Sequence, residues 1–118
     1  MAVKKAGQIV LFEFPQTDFS STKLRPVLLL AQLPSNYDDW LICMISTKKH
    51  QYIEGLDETI NEESSDFSKS GLKAESVIRA TRIAVVSGEI LVGSIGEISQ
   101  ERLTQIKKNL AKWIRAAK

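Results

Sequence analysis

Apolar and polar residues follow one another in short blocks along most of the chain, and a helical spacing begins only at residue 99. Residues 8–14, 26–33 and 40–47 are apolar runs of strand length. Such runs predict strands, and the second and third are apolar enough to be buried on both faces of a sheet. Pro26 is expected at the start of its strand, where the missing N–H matters least. Residues 76–86 and 89–98 predict two further strands.

The clearest predicted element is a helix over residues 99–116. Ser99 is a suitable N-cap, and Glu101 places a negative charge in the first turn, where the helix dipole favours it. Apolar residues then recur at steps of three and four, which places them on one helix face. They are Leu103, Ile106, Leu110, Trp113, Ile114 and Ala117.

Several short strands followed by one helix predict a mainly β (α+β) fold, in which a small, strongly curved sheet or barrel is closed by the C-terminal helix. Gly88, Gly93 and Gly96 suit tight turns or bends of such a sheet. Residues 48–70 are acidic, serine-rich and weakly patterned. They predict one short strand or helical turn and a loop around residues 61–69.

Length and composition limit the class of protein. The chain has 118 residues, of which 43% are hydrophobic and 25% charged, so it is a single globular domain rather than a disordered chain. Cys43 is the only cysteine, which excludes a disulfide scaffold. The apolar runs are too short for a membrane span. Glu13 and Pro15 interrupt the first one, which excludes a secretory signal core. A cytoplasmic protein is therefore expected.

Charge is distributed unevenly although the net charge is only +2. Residues 54–75 carry seven acids against two lysines, and residues 99–118 carry six bases against one acid. The basic segment indicates either a solvated helix face or a nucleic-acid contact. The acidic stretch from Glu54 to Asp66 is interpreted either as a solvated loop or as a shield for a basic site.

Several kinds of site are excluded by the residues present. One cysteine and one histidine cannot form a Cys/His zinc site. The chain has no phosphate-binding P-loop, no dinucleotide-binding glycine pattern and no G-x-S-x-G nucleophile elbow.

Three features could carry chemistry. Arg25 precedes Pro26 at a loop-to-strand junction and could bind an anion through its guanidinium, or pair with Glu13 or Asp18. The strand over residues 40–47 ends in the sequence Ser-Thr-Lys-Lys-His, which suits phosphate contacts or is an ordinary polar strand end. Arg79 and Arg82 fall on opposite faces of a regular strand, so they need not share a site.

These features occur in an order that resembles the MazF/PemK family of toxin–antitoxin ribonucleases. The resemblance rests on five segments: GQIVLF from Gly7, FPQTDFSSTKLRPVLLL from Phe14, CMIST from Cys43, GLKAESVIR from Gly71, and VGSIGEIS from Val92 before the helix. Together they extend from about residue 7 to residue 113. The Arg-Pro pair and the Ile-Ser-Thr strand end are the segments nearest the family's site.

The resemblance implies a fold and an activity. The expected fold is an SH3-like barrel over about residues 7–98 with a helix over about 99–116, one domain over residues 1–118, acting as a homodimer. Family members cut single-stranded RNA without a metal or cofactor and leave a 2′,3′-cyclic phosphate and a 5′-hydroxyl. An antitoxin covers the site with an acidic, otherwise disordered segment, and with it the toxin binds DNA. No membrane partner is implied.

The same resemblance assigns roles to individual residues. Arg25 would stabilise the charge of the phosphorane, and Ser46 would donate to a non-bridging oxygen. His50 and Asp18 are the alternative candidates for proton transfer, since a guanidinium barely deprotonates in a protein. The residues expected to bind RNA are Lys23, Thr47, Lys48, Lys49 and Arg79, with Phe19 as a stacking aromatic.

Two other functions stay open. A CcdB-like toxin that binds gyrase shares the implied fold, although this chain ends Trp-Ile-Arg-Ala-Ala-Lys rather than in a Trp-Gly-Ile-like tail. A degenerate member would bind RNA or antitoxin without cutting. The loop over residues 15–23 lacks the glycine and histidine common in the family, and Thr81 stands where some members have an acid.

Overall fold

The chain folds into a six-stranded antiparallel sheet and a C-terminal helix, and the computed structural model describes residues 3–15 and 22–118. The strands are β1 (Gln8–Pro15), β2 (Thr22–Gln32), β3 (Asp39–Ser46), β4 (Glu58–Ile60), β5 (Ser76–Ser87) and β6 (Leu91–Glu97). The helices are α1 (Phe67–Ser70) and α2 (Gln100–Ala116), with 3-10 turns at Lys49–Gln51 and Gly88–Ile90. The sheet order is β4-β5-β3-β2-β1-β6. The predicted mainly β fold with a C-terminal helix is confirmed; the hydrogen-bonded sheet is open, with β4 and β6 at its edges.

Apolar side chains cover both faces of the central strands. On β2, Leu28 and Leu30 belong to the cluster beneath α2, whereas Val27 and Leu29 belong to a second cluster on the other face. This alternation explains why the sequence of β2 is a continuous apolar run. Cys43 is fully buried in the first cluster, and burial raises the pKa of its thiol, so this cysteine packs rather than reacts.

The start of β2 differs from the expectation. Pro26 lies inside the strand, opposite Leu11 of β1, and not at its first position. The pairing of β2 with β3 begins only at Val27. Proline is tolerated there because β2 has a ladder partner on only one side at this point.

Helix α2 begins and ends as predicted, but the apolar residues of its last turn are not buried. The Ser99 hydroxyl caps it by accepting a hydrogen bond of 3.1 Å from the Arg102 backbone N–H. Leu103, Ile106 and Leu110 are buried against the sheet. The expected apolar face does not continue into the core, because Trp113 is 46% and Ile114 54% exposed. None of the described helices is long and apolar enough to cross a membrane.

The acidic stretch is not a solvated loop throughout, because part of it is built into the fold. Asp66 is 5% exposed, and its two carboxylate oxygens accept from Nε (2.8 Å) and Nη2 (3.1 Å) of Arg102. Arg102 Nη1 donates to Glu58 at 3.0 Å. Arg102 therefore joins α2 to the segment around β4 instead of contributing to a solvated basic face.

Helix α1 lies close to β6, and glycine makes this approach possible. Gly71 ends α1 with a φ of +75°, and a Cβ there would collide with the carbonyl oxygen of Ile95. A Cβ at Gly96 would collide with the carbonyl oxygen of Lys69. Gly96 is thus required for packing against α1 rather than for a bend, and α1 replaces the end of the predicted loop.

Candidate active site

Arg25 and Ser46 lie on the same face of the sheet, where two neighbouring strands run out of apolar residues. Val27 of β2 pairs with Met44 of β3, and both side chains face the second cluster. Arg25 lies two residues before Val27, and Ser46 lies two residues after Met44. Since the strands are antiparallel, both side chains continue that face toward the same end of the sheet. Both line an open groove of about 300 Å³. The groove brings together the two residues that the sequence ranked first.

The hydroxyl of Ser46 is oriented by the backbone that follows the strand. Its oxygen accepts a hydrogen bond of 3.0 Å from the Lys48 N–H. This bond occupies one of the two lone pairs of the oxygen, and the hydroxyl proton can be donated to a ligand oxygen in the groove. Thr47 is exposed and does not line the groove.

An irregularity in β5 brings two further arginines into the groove. Cys43 pairs with Ile83 and the next residue of β3, Met44, pairs with Arg79, so residues 80–82 have no partner on β3. Arg79 and Arg82 both line the groove. The expectation that they need not share a site holds only for a regular strand and is corrected by this insertion.

A buried carboxylate holds the irregular part of β5. Asp57 is 3% exposed, and its two oxygens accept from the backbone N–H groups of Ala80 and Ile53, each at 3.0 Å. The Ala80 N–H lies in the segment that has no partner on β3. Asp57 therefore satisfies a donor that the sheet leaves unpaired, and it fixes the backbone between the two arginines.

Gln51 positions Arg79 from a different segment of the chain. Nη1 of Arg79 donates to Oε1 of Gln51 at 3.2 Å, and Gln51 also lines the groove. The Nε of Arg79 is buried and has no hydrogen-bond partner among the residues that the structure describes. A buried donor without a partner costs free energy, and a ligand oxygen would remove that cost.

Over the described part of the chain, the lining of the groove is basic. Its charged residues are Arg25, Lys48, Arg79 and Arg82, and no described Asp or Glu lines it. None of these four forms an ion pair with a carboxylate of the described residues. Unpaired guanidinium groups next to a hydroxyl donor are suited to binding a phosphodiester.

Among the described residues, three others that were expected to act here, Lys23, Lys49 and His50, do not line the groove. Lys49 is 2.8 Å from Glu75, and this ammonium holds the pKa of the Glu75 carboxyl below its usual range. His50 is exposed on the 3-10 turn and does not line the groove. Lys23 is exposed near the start of β2. Asp18 and Phe19 lie outside the described residues.

Two groove residues were missed from the sequence, Gln51 and Arg82. Gln51 is a neutral residue in a weakly patterned segment, so nothing near it in the sequence indicates its contact with Arg79. Arg82 reaches the groove through the insertion in β5, which the apolar pattern of residues 76–86 does not reveal. Within the described residues, His, Cys, Asp and Glu side chains form no group of three or more that could hold a metal ion.

Comparison with known proteins places the fold and the family. The model of the family described as PemK-like, MazF-like toxin of type II toxin–antitoxin system matches residues 5–114. No curated protein sequence is significantly similar to the chain.

Two solved structures share the fold. One is an endoribonuclease in complex with its cognate antitoxin from a mycobacterial species, with a TM-score of 0.65 and 13% identity, covering 98% of this chain and 99% of that one. The other is the Mycobacterium tuberculosis toxin MazF-mt6, with a TM-score of 0.63 and 17% identity, covering 94% and 99%.

Proposed function

This chain belongs to the PemK-like, MazF-like toxins of type II toxin–antitoxin systems, and on that premise we propose that it is an endoribonuclease that cuts single-stranded RNA in the groove of Arg25 and Ser46. The observation that carries the proposal is the composition of the groove. Four cations that form no ion pair with a described carboxylate line the groove together with an oriented serine hydroxyl. Such a lining binds the phosphate of a nucleic-acid backbone and stabilises additional negative charge on it.

The proposed reaction is an internal attack by the ribose. The 2′-oxygen forms a bond to phosphorus as it loses its proton, and the bond from phosphorus to the 5′-oxygen breaks. The 5′-oxygen takes up a proton, which leaves a 2′,3′-cyclic phosphate and a 5′-hydroxyl. Arg25 stabilises the phosphorane charge while it stays protonated, and Ser46 donates to a non-bridging oxygen. The cationic side chains supply charge stabilisation, and we propose that the reaction proceeds without a metal.

His50 and Asp18 remain the two candidates for proton transfer. His50 supports this role by its position, since it precedes the groove residue Gln51 on the same 3-10 turn. Histidine is the side chain that most often transfers protons in general acid–base catalysis. Lys23 and Lys48 would bind the RNA backbone as it enters the groove. Thr47 and Lys49 are the sequence neighbours of Lys48 and would contact the RNA outside the groove.

We also propose that the toxin acts in the cytoplasm as a homodimer and is inhibited by an antitoxin with an acidic segment. The unpaired cations of the groove are complementary to such a segment, which would compete with RNA for them.

Trp113 and Ile114 are apolar and about half exposed at the end of α2, a surface that a second chain would cover. Replacing both by serine should shift the sedimentation coefficient from dimer to monomer; an unchanged value would remove α2 from the interface.

The proposal is tested by incubating the purified protein with a long single-stranded RNA in EDTA and analysing the ends of the products. We expect discrete fragments with cyclic phosphate ends, and a loss of about 10²–10³-fold in rate for Arg25→Ala. Full activity of Arg25→Ala would exclude its assigned role. RNA binding without cleavage would favour a degenerate member of the family, and DNA cleavage trapped by gyrase would favour a CcdB-like action.

A further inference from the structure

A second hollow adjoins the groove on the side of the irregular β5 segment. It has a volume of about 380 Å³ and is lined by Met44, Thr81, Arg82 and Ile83. Met44 and Arg82 line the groove as well. The two hollows therefore share a wall, and a polymer bound through its phosphate at Arg25 would reach the second hollow by passing over Met44 and Arg82.

The lining of this hollow combines apolar surface with a small number of polar groups. Met44 is partly buried and Ile83 is 41% exposed, so both offer apolar surface to a flat ligand. The Thr81 hydroxyl has no hydrogen-bond partner among the described residues, and Arg82 has neither an ion pair nor a side-chain hydrogen bond there. An apolar wall with unpaired donors is suited to a heterocyclic base attached to a phosphate.

The geometry of this segment is fixed independently of a ligand. Asp57 holds the Ala80 N–H, so the backbone that carries Thr81 and Arg82 is anchored immediately before them. A preorganised backbone reduces the entropy lost when a ligand binds. The irregularity in β5 thus presents two consecutive side chains, Thr81 and Arg82, at the rim of the same hollow.

We infer that this hollow is the subsite for the nucleotide next to the phosphate held by Arg25 and Ser46. The base packs against Met44 and Ile83, Thr81 reads the edge of the base, and Arg82 binds the phosphate of that nucleotide. This inference rests on the proposed ribonuclease function. It adds a sequence-selecting position and a second phosphate contact to it.

The test compares Arg82→Ala with Lys107→Ala, which removes one positive charge from the exposed surface of α2, on the other face of the sheet. For cleavage of a long single-stranded RNA in EDTA, Arg82→Ala should raise KM about tenfold and change kcat much less. Anisotropy of a labelled single-stranded RNA should show a salt slope reduced by about 0.7, the value for one lost phosphate contact. Lys107→Ala should change neither quantity.

A second variant tests the reading of the base. Thr81→Val should redistribute cleavage among sites that differ at one position beside the cut. Thr81→Ser, which keeps the hydroxyl, should retain the distribution of the wild type. Equal salt slopes for Arg82→Ala and Lys107→Ala, or a cut-site profile unchanged in Thr81→Val, would overturn the subsite while wild-type cleavage still supported the ribonuclease. If the wild type neither cut nor bound RNA, the proposed function itself would fail, and the subsite with it.

Discussion

The carboxylate of Asp57 accepts a hydrogen bond of 3.0 Å from the backbone N–H of Ala80, and this contact connects the acidic stretch to the candidate active site. Ala80 follows Arg79 and begins the segment of β5 that has no partner on β3. A buried carboxylate thereby supports a basic groove without lining it. Asp57 forms no ion pair with Arg79 or Arg82.

Asp57→Ala should therefore lower both stability and activity. It leaves the N–H groups of Ala80 and Ile53 without their acceptor, and we expect a loss of about 3 kcal/mol in the free energy of unfolding. Urea denaturation measures this loss. RNA cleavage under conditions where the variant is still folded should fall as well, because the segment between Arg79 and Arg82 loses its anchor. A folded variant with full activity would show that Asp57 does not position the arginines.

Gln51 provides a test of whether Arg79 needs a hydrogen-bond partner and whether that partner must be uncharged. Gln51→Ala frees the guanidinium, and we expect KM for RNA to rise a few-fold with kcat nearly retained. Gln51→Glu keeps a partner for Arg79 but neutralises its charge, so KM should rise further, and most at low salt. Steady-state cleavage of one RNA at two salt concentrations separates the two variants. Equal KM values for both would mean that the charge of Arg79 does not contribute to binding.

Ser46 and Thr47 form a matched pair of neighbouring hydroxyls, of which only Ser46 lines the groove. Ser46→Ala removes the proposed donor to the phosphate, and we expect kcat to fall by about 10²-fold, the scale for one preorganised donor. Thr47→Ala should leave kcat within about twofold. Single-turnover cleavage measures the chemical step directly. A larger effect at Thr47 than at Ser46 would show that the Thr47 hydroxyl, and not that of Ser46, contacts the phosphate.

The strands, the helix and two site residues were accessible from the sequence because each rests on a local pattern. The apolar run of β2 that follows Arg25, the capped apolar spacing of α2, and the polar end of β3 at Ser46 are all contained in consecutive residues. The helix pattern does not reveal that Trp113 and Ile114 stay about half exposed, since helical spacing indicates which residues share a face and not how far the sheet extends beneath that face.

The remaining site residues depend on contacts between distant segments. Arg79 and Arg82 share the groove only because residues 80–82 are inserted against β3, and Asp57, twenty-three residues before Ala80, holds that insertion. A count of acids in residues 54–75 cannot distinguish the buried carboxylates of Asp57 and Asp66 from the exposed ones of Glu62 and Glu63. For the same reason, the charge pattern of residues 99–118 cannot reveal that Arg102 forms an ion pair with Asp66.

The pair of Asp66 and Arg102 predicts how stability depends on pH. Burial acts to raise the pKa of Asp66, but the hydrogen bonds from Arg102 and from the Ser99 backbone N–H outweigh it and hold the pKa below its usual value. The folded state thus favours the carboxylate. The stabilisation is present above the pKa of the unfolded chain, about 3.9, and is lost as pH falls through the lower pKa of the folded state.

Asp66→Asn should accordingly destabilise the protein in a pH-dependent way. At pH 7 it leaves the Arg102 guanidinium, 14% exposed, with only Glu58 as an acidic partner, and we expect a loss of about 3 kcal/mol in the free energy of unfolding. Below pH 4 the wild type loses the same interaction, so the difference between the two proteins should shrink. Urea denaturation at several pH values between 3 and 7 measures it.

Glu75→Gln, which breaks the more exposed pair with Lys49, should cost much less at pH 7. A constant difference between wild type and Asp66→Asn over that range would mean that the lost stability comes from packing rather than from the ionised carboxylate.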